Sequence, residues 1–180
     1  RVREELKKVE EEVREVVRRA KEKTRRVLEE MRKVVKDVDD ESKRVVDEVK
    51  KVLEEVRARG LDTEELKEIE ERIKRKLEEI NERNRDLLRR VERLVREDER
   101  RIDEILTEIK RTVDEIRDLT EEEVVKKVVD DIRKLAKDMD DHSKEVVDRI
   151  REVARRIEEL NRELVRDLKD EVRRVKEKAK

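Results

Sequence analysis

The chain has 180 residues, 61% of them charged, with no Phe, Trp, Tyr, Cys or Pro and a single glycine. Lys and Arg (54) nearly cancel Asp and Glu (55), which argues against electrostatic binding of nucleic acid, and no aromatic ring is present to stack on a base. The longest apolar run is two residues, so no membrane span is expected; the opening residues carry no secretory-leader pattern, and without cysteine there is neither disulfide nor thiolate chemistry.

Charge this dense can signal disorder. Here the two signs are interleaved rather than blocked, and the apolar third of the chain is periodic, so the composition predicts long helices with ion-paired outer faces. In the first element, residues 1–59, apolar positions return every 18 residues, which is about five turns of a straight α-helix. Val2, Ala20, Val38 and Val56 mark one phase; Val9, Val27 and Val45 another; Val13, Met31 and Val49 a third. A heptad repeat needs 3.5 residues per turn and a left-handed supercoil, whereas 3.6 needs neither. The helices are therefore expected to lie nearly straight, crossing at a few degrees rather than the roughly 20° of left-handed bundles.

The pattern breaks at Arg59-Gly60-Leu61-Asp62-Thr63-Glu64-Glu65. Gly60 suits the left-handed residue after a helix. Asp62 suits an N-cap, with Glu65 completing a capping box. A second helix, 62–117, carries Leu66, Ile69, Ile73, Leu77 and Ile80, then Leu87, Val91, Leu94 and Val95, then Ile102, Ile105, Ile109, Val113 and Ile116 at helical spacing. It ends at Arg117-Asp118-Leu119-Thr120-Glu121-Glu122-Glu123, which aligns with the first break: Asp118 with Gly60, Thr120 with Asp62, Glu123 with Glu65. One loop conformation used twice is the expectation, with Asp118 left-handed as well. A third helix, 120–180, follows.

Each apolar stripe covers an arc of roughly 120° at about 100° per residue, wider than a two-stranded seam needs and matched to three helices. Short loops force neighbours antiparallel. The fold class is all-α: a single-domain, antiparallel up-down-up three-helix bundle of helices about 57 residues long. Equal helices, paired loops, an 18-residue period and an aromatic-free Val/Ile/Leu core resemble de novo designed helical bundles built on parametric, untwisted backbones, and Glu/Lys/Arg surfaces fit that style. A further echo links Asp37-Val38-Asp39-Asp40-Glu41-Ser42-Lys43-Arg44-Val45-Val46-Asp47 to Asp138-Met139-Asp140-Asp141-His142-Ser143-Lys144-Glu145-Val146-Val147-Asp148. We attribute it to equivalent environments met twice rather than to gene duplication.

Six polar residues occupy apolar phases: Thr24, Ser42, Asn84, Asp98, Ser143 and Asn161; Asn81 and His142 sit at stripe edges. Folding the helices about the loops places residue n of the first helix near 121 − n of the second and 120 + n of the third. Thr24, Asp98, Ser143 and His142 then share one level, and Ser42, Asn81 and Asn161 another, with Asn84 a turn away. Buried polar groups are costly unless paired, so both levels are expected to be structural hydrogen-bond layers that fix register. Ser, His and Asp in one layer also suggest hydrolase chemistry, but consecutive His142 and Ser143 point about 100° apart on a helix and no nucleophile turn surrounds them. One histidine without cysteine does not make a metal site.

No enzyme activity, cofactor, metal or required partner is therefore expected. The resemblance implies a hyperstable structural scaffold with no natural compartment, soluble on recombinant cytoplasmic expression and monomeric. Its alternative is an interaction module, one protomer of a larger helical assembly or a switchable cage, which needs apolar surface outside the arcs. Val17, Leu28, Val46 and the pairs Val124-Val125, Val128-Val129 and Val146-Val147 are candidates for such surface. A lipid-binding bundle of the apolipoprotein kind fits poorly, since interfacial helices favour Trp and Phe.

Overall fold

A computed structural model describes residues 2–60, 63–119 and 121–178, with the side chain of Thr63 outside the description. Three helices account for nearly all of it: α1 (Val2–Ala58), α2 (Thr63–Ile116) and α3 (Glu122–Lys178), packed against one another as a three-helix bundle. Their bounds lie within two residues of those expected from the periodicity. With no proline and no interior glycine, nothing in these segments interrupts the ladder of backbone hydrogen bonds.

The chain divides into two compact units, each assembled from pieces of all three helices. Unit 1 combines Arg1–Glu29 with Val91–Arg151, and unit 2 combines Glu30–Arg90 with Glu152–Lys180. In unit 1, α1 contributes Leu6, Val9, Val13, Val17 and Ala20, spaced three or four residues apart on one face. Against them stand Ile102, Ile109, Val113 and Ile116 of α2 and Val125, Val129, Ile132, Ala136 and Met139 of α3. In unit 2, Val45, Val49, Leu53 and Val56 of α1 pack with Leu66, Ile73 and Leu77 of α2 and Leu164, Leu168 and Val175 of α3. In both units the short valines of α1 meet longer Ile and Leu side chains on α2, so large and small residues fill the space together. Each fully buried aliphatic side chain contributes roughly 1.5–3 kcal/mol relative to exposure.

Cross-helix contacts fix direction within each unit. In unit 1, Glu10 pairs with Arg117, Lys21 with Asp103 and Arg25 with Glu99, so α1 and α2 run antiparallel. In unit 2, Glu65 pairs with Lys178 and Arg72 with Glu171, so α2 and α3 do too. Between α1 and α3, Glu12 meets Arg133 in unit 1 and Glu41 meets Asn161 in unit 2, partners 121 and 120 residues apart. The parallel offset expected from the loops was 120.

The two turns differ. At the end of α1, Gly60 has φ +89°, and the N–H groups of Arg59 and Gly60 donate to the carbonyls of Val56 and Arg57 at 3.1 Å each. Asp118 was expected to adopt the same left-handed conformation and does not: no non-glycine residue among those described has positive φ. The reason is the Cβ atom, which costs roughly 1–2 kcal/mol in that region. The end of α2 closes instead through the Leu119 N–H donating to the Ile116 carbonyl at 3.0 Å. The aligned sequences thus encode two conformations. Asp62 and Thr120, the expected N-caps, lie outside the described residues. Of their capping-box partners, Glu65 accepts a hydrogen bond from Lys178 Nζ at 3.1 Å, and Glu123 is exposed in the acidic first turn of α3, a favourable place for negative charge.

Candidate functional site

The interior of a bundle is where a polar side chain must find a partner, so the polar exceptions to the stripe are the first place to seek a site. The buried polar residues are Thr24, Ser42, Asn84, Asp98, Ser143 and Asn161, and Asn81 and His142 are half-buried. They form two groups, one within each unit.

In unit 1, Asp98 of α2 and Ser143 of α3 are 3% and 2% exposed. The Ser143 hydroxyl donates to the Asp98 carboxylate, 3.1 Å to Oδ2 and 3.4 Å to Oδ1. Burial pushes the Asp98 carboxyl above its ordinary pKa; the Ser143 bond and the charges of His142 and Arg101 pull it back, and Glu99 adds to the rise. Thr24, expected to join this pair, does not. Its hydroxyl turns to its own helix, 3.0 Å from the Lys21 carbonyl and 3.2 Å from that of Ala20. A threonine in a helix can always reach the carbonyls three and four residues back, and that local bond wins here over a cross-helix one. The layer is therefore a two-helix bond, Ser143 to Asp98.

In unit 2 the expected network of Ser42, Asn81 and Asn161 does not close. Asn161 Nδ2 donates to Glu41 Oε2 at 2.8 Å, a bond from α3 to α1. Ser42 Oγ and Asn161 Oδ1 are buried without a hydrogen-bond partner. Glu41 was not singled out in the sequence because its own position is exposed. The 120-residue offset places it opposite Asn161 and was the signal available. Serine is too short to span to a neighbouring helix unless the partner reaches toward it, as the carboxylate of Asp98 does toward Ser143.

The echoed segments fall in different units, yet behave alike. Lys43 pairs with Asp39 at 3.5 Å and Lys144 with Asp140 at 3.2 Å, and each segment buries its serine.

Chemically these layers offer little beyond structure. The Ser143 proton points to a carboxylate rather than to a histidine, the reverse of an activated nucleophile, and a hydroxyl 2% exposed is out of a substrate's reach. Among the described residues no three His, Asp or Glu side chains converge on a metal position, and no helix is long and apolar enough to cross a membrane. Most of the candidates for extra apolar surface are buried: Val17, Leu28, Val125, Val129, Val146 and Val147. Val46 and Val128 are half-buried, and Leu119 and Val124 are the large exposed hydrophobics among the described residues. Comparison with protein-family models, with curated proteins and with solved structures finds no match to this chain.

Proposed function

We propose that the chain is a designed structural scaffold: a monomeric, highly stable three-helix bundle whose only task is to hold its shape, with no catalytic or cofactor role. One observation carries the proposal. Every polar residue on the apolar stripes is buried, and most of the residues that widened those stripes are buried as well, so the helices turn most of their apolar surface toward one another. An interior of aliphatic packing with a few polar bonds, Ser143 to Asp98 and Asn161 to Glu41 between helices and Thr24 to its own helix, has architecture as its output. The 18-residue period and the aromatic-free core support an origin in design, as does the repeated use of one segment in two equivalent settings.

The alternative, a protomer of a larger assembly, needs a contiguous apolar surface; large patches of that kind mark interfaces. Leu119 and Val124, at 42% and 40% exposed, flank the turn between α2 and α3 and are the only support for it among the described residues. Sedimentation equilibrium at two loading concentrations a hundredfold apart separates the two readings. The scaffold reading expects the mass of one 22.0 kDa chain at both; a mass that rises with concentration favours the assembly.

A further inference from the structure

The seam between α1 and α3 in unit 2 is shallow. Val45, Val49 and Val52 on α1 stand three and four residues apart on one face, opposite Leu168 and Val172 on α3. Valine fills less of the seam than leucine, and a groove of about 490 Å³ remains, within the range of small-molecule sites. Its rim is basic: Lys51 on one side, Lys169, Arg173 and Lys176 on the other, with Glu48 as the single acid. Arg173 has Asp170 at 4.0 Å. Lys51, Lys169 and Lys176 form no ion pair among the described residues. A groove of equal volume between α2 and α3 in the same unit differs: Glu79, Glu82 and Asp86 balance Arg83, Arg90 and Arg156 along it.

We propose that the α1–α3 groove of unit 2 binds a single fatty-acid anion, the acyl chain over the half-buried Val52 and Val172, above the buried Val45, Val49 and Leu168, and the carboxylate among Lys51, Lys169 and Lys176. The occupant follows from complementarity. An apolar floor asks for an alkyl chain, unpaired ammonium groups ask for an anion, and a volume of about 490 Å³ holds one chain rather than a bilayer surface. The site does not depend on the scaffold reading, since a groove left by short side chains exists whatever the chain is for.

The test is a methyl-resolved NMR titration of the full chain with dodecanoate, below its micellar concentration. The matched probes are octanoate and dodecyltrimethylammonium. Dodecanoate is expected to saturate one site, shifting the methyls of those five residues. It should bind at least tenfold tighter than octanoate, because each buried methylene adds up to about fourfold. It should also bind at least tenfold tighter than the cationic probe. The exposed double variant K169E/K176E should keep its helicity and lose at least tenfold in dodecanoate affinity, and V172F, which fills the groove, should bind none. Shifts spread over apolar edges in both units, equal affinity for the cationic probe, unchanged affinity in K169E/K176E, or no saturable shift would each overturn the proposal.

Discussion

Asp98 is a carboxyl group that burial makes reluctant to ionise, and that reluctance has a sign. Its folded-state pKa is raised, so the folded protein holds the proton more tightly than the unfolded chain does. The stabilisation is fully present below the ordinary carboxylate value of about 3.9 and is lost as pH rises through the folded-state value. Asp98→Asn keeps the shape and an acceptor for Ser143 without the charge. It should be more stable than the parent at pH 7, and the difference should shrink by pH 3. Denaturant unfolding of both proteins at the two pH values checks this, and a difference independent of pH would sink it. The two buried serines should respond oppositely to truncation. Ser143→Ala strips the Asp98 carboxylate of its hydrogen bond and should cost about 1.5–3 kcal/mol. Ser42→Ala removes a hydroxyl that has no partner and should be neutral or gain about 1 kcal/mol. For a chain of this size, that gain is a rise of about 2–4 °C in melting temperature.

Each helix is marked out by period and ended by local chemistry, and the two turns show how far local chemistry reaches. A Cβ at Gly60 would meet nothing within 4 Å, so Gly60→Ala carries only the backbone cost of φ +89°. About 1 kcal/mol is expected, a drop of roughly 2–4 °C. Asp118→Gly offers the converse measurement. Had Asp118 been left-handed, glycine would stabilise the turn. Since it is not, the substitution should be neutral or slightly destabilising through the added freedom of the unfolded chain. A clear gain in melting temperature for Asp118→Gly would show that the turn does adopt the conformation of Gly60.

For the whole molecule the expectations concern stability and straightness. Local pattern, turns and core agree at nearly every position, and such consistency is what gives a sequence a single deep minimum. We expect melting above about 90 °C, measured by circular dichroism. A cooperative transition near 60 °C would mean that the orphaned polar atoms of unit 2 cost more than their number suggests. Within either unit, the 18-residue period predicts helix crossings of a few degrees. A crystal structure with crossings near 20° would refute the period argument.

The sequence by itself determined the number of helices, their limits to within two residues, the antiparallel order and the identity of all six buried polar residues. These follow from period, turn residues and stripe width, which are local properties repeated along the chain. It did not determine which hydrogen bonds those residues make. Thr24, Asp98 and Ser143 share a level, yet Thr24 bonds its own helix and leaves the other two to each other. Ser42 faces the same choice at its own level and bonds to nothing, while Asn161 finds Glu41. Nor could it separate Gly60 from Asp118, where aligned loops take different backbone conformations. Placing a residue on a face needs only its phase, which the sequence carries at about 100° per step. Closing a bond needs donor and acceptor within about 3.2 Å and in line. That is set by the distance between helix axes and by rotamers, which only the packed tertiary structure decides.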